Sequence, residues 1–229
     1  MNELFQLESG HIGSQTALDA LRTKNHCRIL VMSDSHGNYR LLIKIIKQYG
    51  PACHAFIFCG DGAGDIAELL EQAHTDDEIK QAIPPVIAFV RGNGDPETYP
   101  VSFDIGKHNP AYQFEMKGTL FFPEEQTLTA NKTRFFITHG HNQAVYFGHQ
   151  QLGMATIYNN CTHGIYGHTH ISYQENFPKC KLINPGSISR PRGGDQAGFA
   201  IITVEKKFTD TAFIKISDSR SDTPSFKVM

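Results

Sequence analysis

Residues 27–38 read CRILVMSDSHGN and are the most informative part of the chain about its fold. Residues 27–33 form a short, mostly apolar run, which is typical of a buried strand. Residues 38–49 then carry leucines and isoleucines at helical spacing, and Gly50-Pro51 ends the helix. The order strand, helix, strand returns at 54–59, 65–82 and 85–90. This alternation predicts right-handed crossovers and a parallel sheet.

The second half of the chain changes character, because strands outnumber helices there. Its one clear helix is predicted at about 145–158. Strands are predicted at 112–116, 119–122, 134–138, 164–167, 171–175, 181–183, 199–204 and 209–216. A second sheet would then pack on the first, with helices on both outer faces. We therefore predict an α/β fold, a four-layer α/β/β/α sandwich of two mixed sheets.

The composition is that of an ordinary globular protein without a strong charge. The 229 residues include 21 basic and 23 acidic side chains, for a formal charge of −2. A protein that binds nucleic acid through broad phosphate contacts is normally basic, so no broad nucleic-acid surface is expected. No apolar run reaches the roughly 18 residues of a membrane span. The five cysteines are scattered and form no CxxC pair, which favours a reducing, cytoplasmic location without disulfides.

The chain is expected to contain one principal domain. We predict that residues 1–25 are a peripheral N-terminal extension and that residues 26–229 are the catalytic domain. Residues 14–21 of the extension could form a short helix.

Side chains of the types that bind metals follow nearly every predicted strand. These are Asp34-Ser35-His36, Gly60-Asp61-Gly62, Gly92-Asn93-Gly94-Asp95, Thr138-His139-Gly140-His141 and Gly167-His168-Thr169-His170. In open α/β sheets the loops beyond the carboxyl ends of the strands converge, and functional groups collect there. We therefore expect these residues to meet at one site.

Each motif alone has a plainer interpretation. Asp34 could be a helix N-cap beside an unrelated histidine, and residues 60–64 could be a tight turn or a degenerate dinucleotide loop. A structural zinc site could be formed by Cys161, His163, His168 and His170. The spacing of these residues, however, matches no common zinc pattern.

Taken together, the donors favour a pair of divalent cations. Carboxylate, amide and imidazole groups suit Mn, Fe, Zn, Co or Ni, and no thiolate is included. Two cations roughly 3.5–4 Å apart neutralise a phosphate ester and can hold a hydroxide at neutral pH. This combination is the usual means of cleaving phosphate esters.

In their order, the motifs resemble the calcineurin-like metallophosphoesterase superfamily, and within it the small YfcE-like phosphodiesterases. The matching pieces are SDSHGN (33–38), CGDG (59–62), RGNGD (91–95), THGH (138–141), GHTH (167–170) and NPGS (184–187). The resemblance spans residues 33–187 and also implies a four-layer sandwich. The ordered set is far more specific than any one motif.

The resemblance implies a role for each of these residues. Asp34, His36 and His170 would bind one metal, Asn93, His139 and His168 the second, and Asp61 both. NPGS would lie close to the site, and Arg190 or Arg192 could bind a substrate phosphate oxygen. The candidate catalytic residues are Asp61, Asn93, Asp95 and His141.

This chain departs from the superfamily pattern at three places. Many of its phosphatases carry His-Glu after the asparagine, where this chain has Gly94-Asp95. The usual proton donor to the leaving group is therefore missing. Residues 1–25 precede the point where such proteins usually begin, and residues 96–132 form a longer stretch beside the substrate mouth.

We predict a metal-dependent phosphoesterase, more specifically a phosphodiesterase, in which a metal-bridging hydroxide attacks phosphorus in line. Two divalent ions are expected per chain, with manganese as first choice and Fe, Zn, Ni, Co or Mg as alternatives. The substrate would be a small phosphate ester or nucleotide. The protein could also form a homo-oligomer. The alternatives are a metal-binding scaffold for protein partners, as in the related retromer subunit, and a nucleotide-binding sensor. A scaffold has no need of all seven ligands, which this chain keeps.

Overall fold

A computed structural model describes residues 3–104, 115–206, 208–219 and 223–229. In this part of the chain there are fourteen strands and five α-helices. In chain order the strands are β1 Ile12–Gly13, β2 His26–Met32, β3 Ala55–Phe58, β4 Val86–Phe89, β5 Thr98–Asp104, β6 Glu115–Phe121, β7 Glu125–Ala130, β8 Thr133–Thr138, β9 His163–Ile165, β10 Ser172–Phe177, β11 Cys180–Pro185, β12 Gly198–Glu205, β13 Thr209–Ser217 and β14 Ser225–Val228. The helices are α1 Gln15–Thr23, α2 Tyr39–Tyr49, α3 Ala63–Thr75, α4 Asp77–Ala82 and α5 Gln150–Tyr158, with a 3₁₀ turn at Gly50–Ala52.

The strands form two mixed sheets and a small ribbon. The larger sheet has the order β1-β4-β3-β2-β12-β13-β14, and β2, β3 and β4 run parallel to one another within it. The smaller sheet has the order β10-β11-β9-β8-β7, with β9 parallel to both β8 and β11. Strands β5 and β6 form the separate antiparallel ribbon.

Alternation along β2 explains how the layers pack. Leu30 and Met32 belong to the apolar cluster under α2, α3 and α4. Ile29 and Val31 point the other way, into the cluster between the two sheets. Successive side chains of a strand face opposite sides, so a central strand buried on both sides is apolar throughout. A third cluster lies under α5, against the outer face of the smaller sheet. The predicted four-layer α/β/β/α sandwich is confirmed.

Several element predictions need correction. The helix expected at 65–82 is two helices, because the Asp76 side chain accepts hydrogen bonds from the backbone of Glu78 and Ile79 and starts α4. The helix expected at 145–158 begins only at Gln150. Strands β1, β5, β7 and β14 were not predicted. Of the strand predicted at 112–116, residues 112–114 lie outside the described residues, and Glu115 and Met116 begin β6.

Residues 3–25 pack into the fold, which does not match the peripheral position expected for them. Strand β1 pairs with β4 and extends the larger sheet. Leu4 and Ile12 join the cluster under the helices, whereas Leu18 and Leu21 of α1 lie between the sheets. Ser14 caps α1 through its hydroxyl, as expected for a short helix in this stretch.

None of the helices in the described residues is long and apolar enough to cross a membrane.

Candidate metal centre

The predicted ligands converge where strands of both sheets end. Asp34, Asp61 and Asn93 follow the parallel strands β2, β3 and β4, so they leave the larger sheet at one edge. His139 follows β8 and His168 follows β9, which bring the smaller sheet to the same place. The site therefore lies between the two sheets, at the carboxyl ends of their strands.

Five ligand residues adopt a left-handed backbone that side chains other than glycine rarely adopt. Their φ angles are 55° at Asp34, 44° at His36, 56° at Asp61, 67° at His168 and 60° at His170. Such conformations cost roughly 1–3 kcal/mol each and persist only where the surroundings impose them. The sharp turns after the strands thus direct the ligands inward at a cost in stability.

Hydrogen bonds from residues 184–189, which include the NPGS segment, hold two of these turns. Ser187 Oγ donates to the carbonyl oxygen of Asp34 at 2.7 Å, and Ser189 Oγ donates to that of Ser35 at 2.8 Å. Asn184 Nδ2 donates to the carbonyl oxygen of Gly167 at 2.7 Å. The segment therefore lies close to the site, where it braces the backbone of both sheets.

Four donor side chains form a tight group. Asp34, His36, Asp61 and His170 each offer a ligand atom within 4.8 Å of the other three. His36 Nε2 lies 3.9 Å from Asp34 Oδ1 and 3.8 Å from Asp61 Oδ2. His170 Nε2 is 3.1 Å from Asp34 Oδ1. Nitrogen and oxygen atoms that bind the same cation lie at similar distances from one another.

His139 and His168 extend the group on the far side of Asp61. His139 Nε2 lies 3.6 Å from Asp61 Oδ2 and 4.0 Å from Asp34 Oδ1. His168 Nδ1 is 3.2 Å from His139 Nε2. Asp61 Oδ2 thus lies within 4 Å of a histidine from each predicted set, and Gly94 donates its backbone N–H to Asp61 Oδ1 at 2.9 Å.

The orientation of two imidazole rings is set by backbone carbonyls. His139 Nδ1 donates to the carbonyl oxygen of Cys59 at 2.6 Å, and His170 Nδ1 donates to that of Arg190 at 2.5 Å. Since Nδ1 carries the proton in each ring, the lone pair of Nε2 points into the cluster. Metal-binding histidines are commonly fixed in this way.

The residues present fit divalent cations. Asp34 Oδ1 is buried and accepts no hydrogen bond with acceptable geometry from any described residue, although imidazole nitrogens surround it. Burial lowers the pKa of His36, and burial together with nearby His139 lowers the pKa of His168 to about 4. Burial opposes ionisation of Asp34, but polar neighbours, among them the Ser33 hydroxyl that donates to Oδ2, lower its pKa overall. Neutral imidazole and ionised carboxylate are the forms that bind metal.

The other predicted catalytic residues lie around this cluster in different settings. Asn93 is exposed on the turn between Gly92 and Gly94. His141 lies beside the cluster, with its ring centre 5.5 Å from that of His139. Asp95 lies behind Asp61, where it accepts hydrogen bonds from the backbone of Gly62, Ala63 and Gly92.

Arg190 and Arg192 are exposed next to the cluster. Arg190 supplies the carbonyl that orients His170, and the backbone N–H of Arg192 donates to the carbonyl oxygen of His170 at 3.2 Å. The guanidinium of Arg192 donates to the hydroxyl of Tyr146. Both arginines are therefore tied to a ligand residue through their backbone.

Two residues near the site were not predicted. Asp65 Oδ2 accepts hydrogen bonds from the Ser35 hydroxyl and from the backbone of Gly37, which fixes the turn that carries His36. Its position on the buried face of α3 is a signal that could have identified it, because buried carboxylates need partners. Tyr146 donates to the carbonyl oxygen of His168 at 2.9 Å, and no local pattern marks it.

A cleft of about 270 Å³ opens at the cluster, between its ligands His36 and Asp61 and the wall formed by Pro96 and Tyr99. A larger cavity of about 530 Å³ lies elsewhere, between the N-terminal segment and β7. None of the predicted ligands lines that cavity, so we assign the site to the smaller cleft. The zinc alternative is also not favoured, because Cys161 packs under α5 and His163 bonds Thr209.

Known proteins with similar sequences are phosphoesterases by name. The chain is 30% identical over 202 residues to "Probable metallophosphoesterase YsnB" of Bacillus subtilis, covering 83% of this chain and 95% of that protein. It is 26% identical over 181 residues to "Phosphodiesterase YfcE" of Escherichia coli, covering 76% and 86%.

Solved structures share the fold. A predicted phosphoesterase from Streptococcus pneumoniae has a TM-score of 0.60 at 22% identity, covering 89% of this chain and 98% of its own. Vacuolar Protein Sorting 29 from Cryptosporidium parvum has a TM-score of 0.62 at 13% identity, covering 90% and 98%. These likenesses concern the fold alone. The family model described as "Calcineurin-like phosphoesterase superfamily domain" matches residues 27–207, and the chain therefore belongs to the calcineurin-like phosphoesterase superfamily.

Proposed function

We propose that this protein is a phosphodiesterase that depends on two divalent metal ions. Asp34, His36 and His170 hold one ion, Asn93, His139 and His168 hold the other, and Asp61 holds both. Manganese is the first choice, because carboxylate and amide oxygens suit it and no thiolate is included.

The observation that carries the proposal is the buried Asp34 Oδ1, which lies among imidazole nitrogens and accepts no hydrogen bond from the described residues. A buried carboxylate oxygen without a hydrogen bond is costly unless a cation compensates it. In the described part of the chain, the neighbouring Nε2 atoms of His139 and His170 have only other imidazole nitrogens as hydrogen-bond partners, those of His168 and His36. Among the six converging side chains, Asp34 Oδ1 is the buried atom that no hydrogen bond from the described residues satisfies.

Two divalent ions at such a site supply charge neutralisation for the phosphate and lower the pKa of bound water. The chain's own residues then orient the ester. The Gly94 N–H holds Asp61 in place, and the exposed guanidinium groups of Arg190 and Arg192 can bind a phosphate oxygen. No dedicated acid stands at Gly94, so negative charge builds up on the leaving oxygen unless His141, beside His139, protonates it.

Two observations favour diesters over monoesters. Gly94 provides no proton donor where many phosphatases of the superfamily place histidine, and Asp95 is engaged with backbone N–H groups. The relative named Phosphodiesterase YfcE gives the same preference by analogy. A monoester dianion needs more charge neutralisation and a good acid, whereas a diester monoanion needs less of both.

The test is to strip the protein of metal and reload it separately with Mn, Fe, Zn, Ni, Co or Mg. Hydrolysis of bis(p-nitrophenyl) phosphate is compared with that of p-nitrophenyl phosphate, and bound metal is counted by mass spectrometry. We expect two ions per chain and faster diester cleavage. The Asp34→Asn variant should lose metal and activity, whereas the matched Asp77→Asn variant, on the exposed start of α4, should keep both. Metal binding without hydrolysis of either ester would favour the scaffold or nucleotide-sensor alternative.

A further inference from the structure

Tyr146 is held rigidly against a ligand of the candidate metal centre. Its ring meets that of His168 edge to face, with centroids 4.9 Å apart and an interplanar angle of 67°. Its hydroxyl donates to the His168 carbonyl oxygen and accepts a hydrogen bond from Arg192. With both ends of the side chain fixed, little conformational entropy remains to be lost when a ligand contacts this ring.

The rings at this position are nevertheless open to solvent. Tyr146 is 51% exposed, and the adjacent Phe147 is 95% exposed, more than any other large hydrophobic side chain among the described residues. Burial of a phenylalanine ring is favourable, so the exposed Phe147 ring has apolar surface that a ligand can cover. Tyr146, which contacts His168, and Phe147, its neighbour in the chain, therefore indicate a surface that becomes covered by a ligand.

The Tyr146 ring has a cationic neighbour in Arg192. Arg192 joins Tyr146 to the loop of His170, and Arg190 lies two residues earlier. Arginine side chains stack on flat rings and bind phosphate oxygens, so they suit a ligand that has both. In a nucleotide, one sugar ring lies between the base and the phosphate. In this structure, one imidazole ring, that of His168, lies between Tyr146 and the rest of the metal cluster.

We propose that Tyr146, Phe147 and Arg192 form a nucleobase platform, which stacks the base of a nucleotide diester whose phosphate lies at the metal centre. This inference rests on the proposed phosphodiesterase function and assigns its substrate class. Stacking of a base on an aromatic side chain tolerates any base, because each base has a π-face. The platform therefore selects for nucleotides but not for a particular sequence.

The experiment uses two esters with the same p-nitrophenolate leaving group. One is the p-nitrophenyl ester of thymidine 5′-monophosphate, and the other is the same ester without the base. The ratio of their kcat/KM values isolates base binding from the chemical step. We expect Tyr146→Ala and Phe147→Ala to lower this ratio about tenfold, which is within the range for the loss of one stacked base. Tyr146→Phe keeps the ring and should retain the ratio.

Tyr158→Ala is the matched control, because Tyr158 is a similarly exposed ring, 87% accessible, at the end of α5. Its ratio should equal that of the parent protein. Phe147→Ala removes an exposed ring, so its result does not depend on the stability of the Tyr146 variants. If the parent cleaves both esters but the Ala variants leave the ratio unchanged, or lower both rates equally, the platform is wrong and the phosphodiesterase proposal stands. If the metal-loaded parent cleaves neither ester, both proposals fail.

Discussion

Gly62 donates its backbone N–H to both carboxylate oxygens of Asp95, at distances of 3.0 and 3.2 Å. Asp95 also accepts from Ala63 and Gly92, so it caps α3 and fixes the turn beside Asp61. We expect Asp95→Ala to lower the free energy of unfolding by about 1–2 kcal/mol, the usual cost of losing an N-cap. Urea denaturation of the metal-free variant measures this loss. A neutral result would show that these hydrogen bonds do not stabilise the fold.

The proton donor to the leaving group gives a second prediction. Gly94 has no side chain to act as an acid, so negative charge should build up on the leaving oxygen. Activated aryl diesters should then be cleaved at least ~10²-fold faster than alkyl diesters of similar size, because general acid assistance is typically worth 10²–10⁴-fold. The measurement is log kcat against leaving-group pKa for the parent and for His141→Ala. A nearly flat line that steepens in His141→Ala would instead identify His141 as the acid.

Asp61 should be the most damaging ligand to replace. Its Oδ2 lies 3.8 Å from His36 Nε2 and 3.6 Å from His139 Nε2, so its loss removes a donor from each proposed metal position. We expect Asp61→Ala to lose both metals and to retain less activity than His36→Ala. Metal content and diester hydrolysis of the two folded variants decide this. Higher activity in Asp61→Ala than in His36→Ala would disprove the bridging assignment.

The N-terminal segment gives a prediction about stability. Leu21 of α1 is buried between the sheets, so Leu21→Ala should cost roughly 2–5 kcal/mol of unfolding free energy. Thr16→Ala, on the exposed side of the same helix, is the control and should change it by less than about 0.5 kcal/mol. A protein that starts at His26 loses both α1 and β1 and should unfold at a much lower urea concentration. If the truncated protein were as stable as the full chain, residue 25 would be a true domain boundary.

His163 makes the fold sensitive to acid. Its Nε2 lies 2.8 Å from the Thr209 hydroxyl, and burial, aided by Lys181, lowers its pKa from 6.5 to about 4. The unfolded chain therefore binds more protons between these pH values, and stability that is present above pH 6.5 is lost as the pH falls towards 4. We expect His163 to account for about 2 kcal/mol of the loss between pH 7 and pH 5. Urea titrations of metal-free parent and His163→Gln at the two pH values measure it, and parallel losses in both proteins would contradict the assignment.

The four layers and the convergence of the proposed ligand residues could be predicted because each depends on a local pattern. Asp34 stands directly after an apolar strand, and the histidines at 168 and 170 follow another, so topology alone brings them to one edge. The break between α3 and α4 could have been predicted as well, because Asp76 followed by Asp77-Glu78 is a typical helix start.

Strand β7 could not be recognised in the same way. Gln126 occupies one of its buried positions and disrupts the apolar alternation. Its amide is satisfied by the backbone N–H of Phe89 at 2.9 Å, a partner 37 residues away. The hydrogen bonds that hold the site, such as the one from Ser187 to the Asp34 carbonyl oxygen, likewise join segments that are distant in the chain. They involve backbone atoms, so no sequence pattern predicts them.

Because the proposed ligands lie between the two sheets, bound metal should also stabilise the folded protein. Asp34, His36 and Asp61 belong to loops of the larger sheet, and His139, His168 and His170 to loops of the smaller one. Each of the two proposed cations has ligands from both sheets, so the sheets cannot separate without releasing it. Binding to the folded chain alone adds about 2.7 kcal/mol when free metal is 100 times its Kd. The survival time of the enzyme, and not only its turnover, would then rise and fall with the supply of metal.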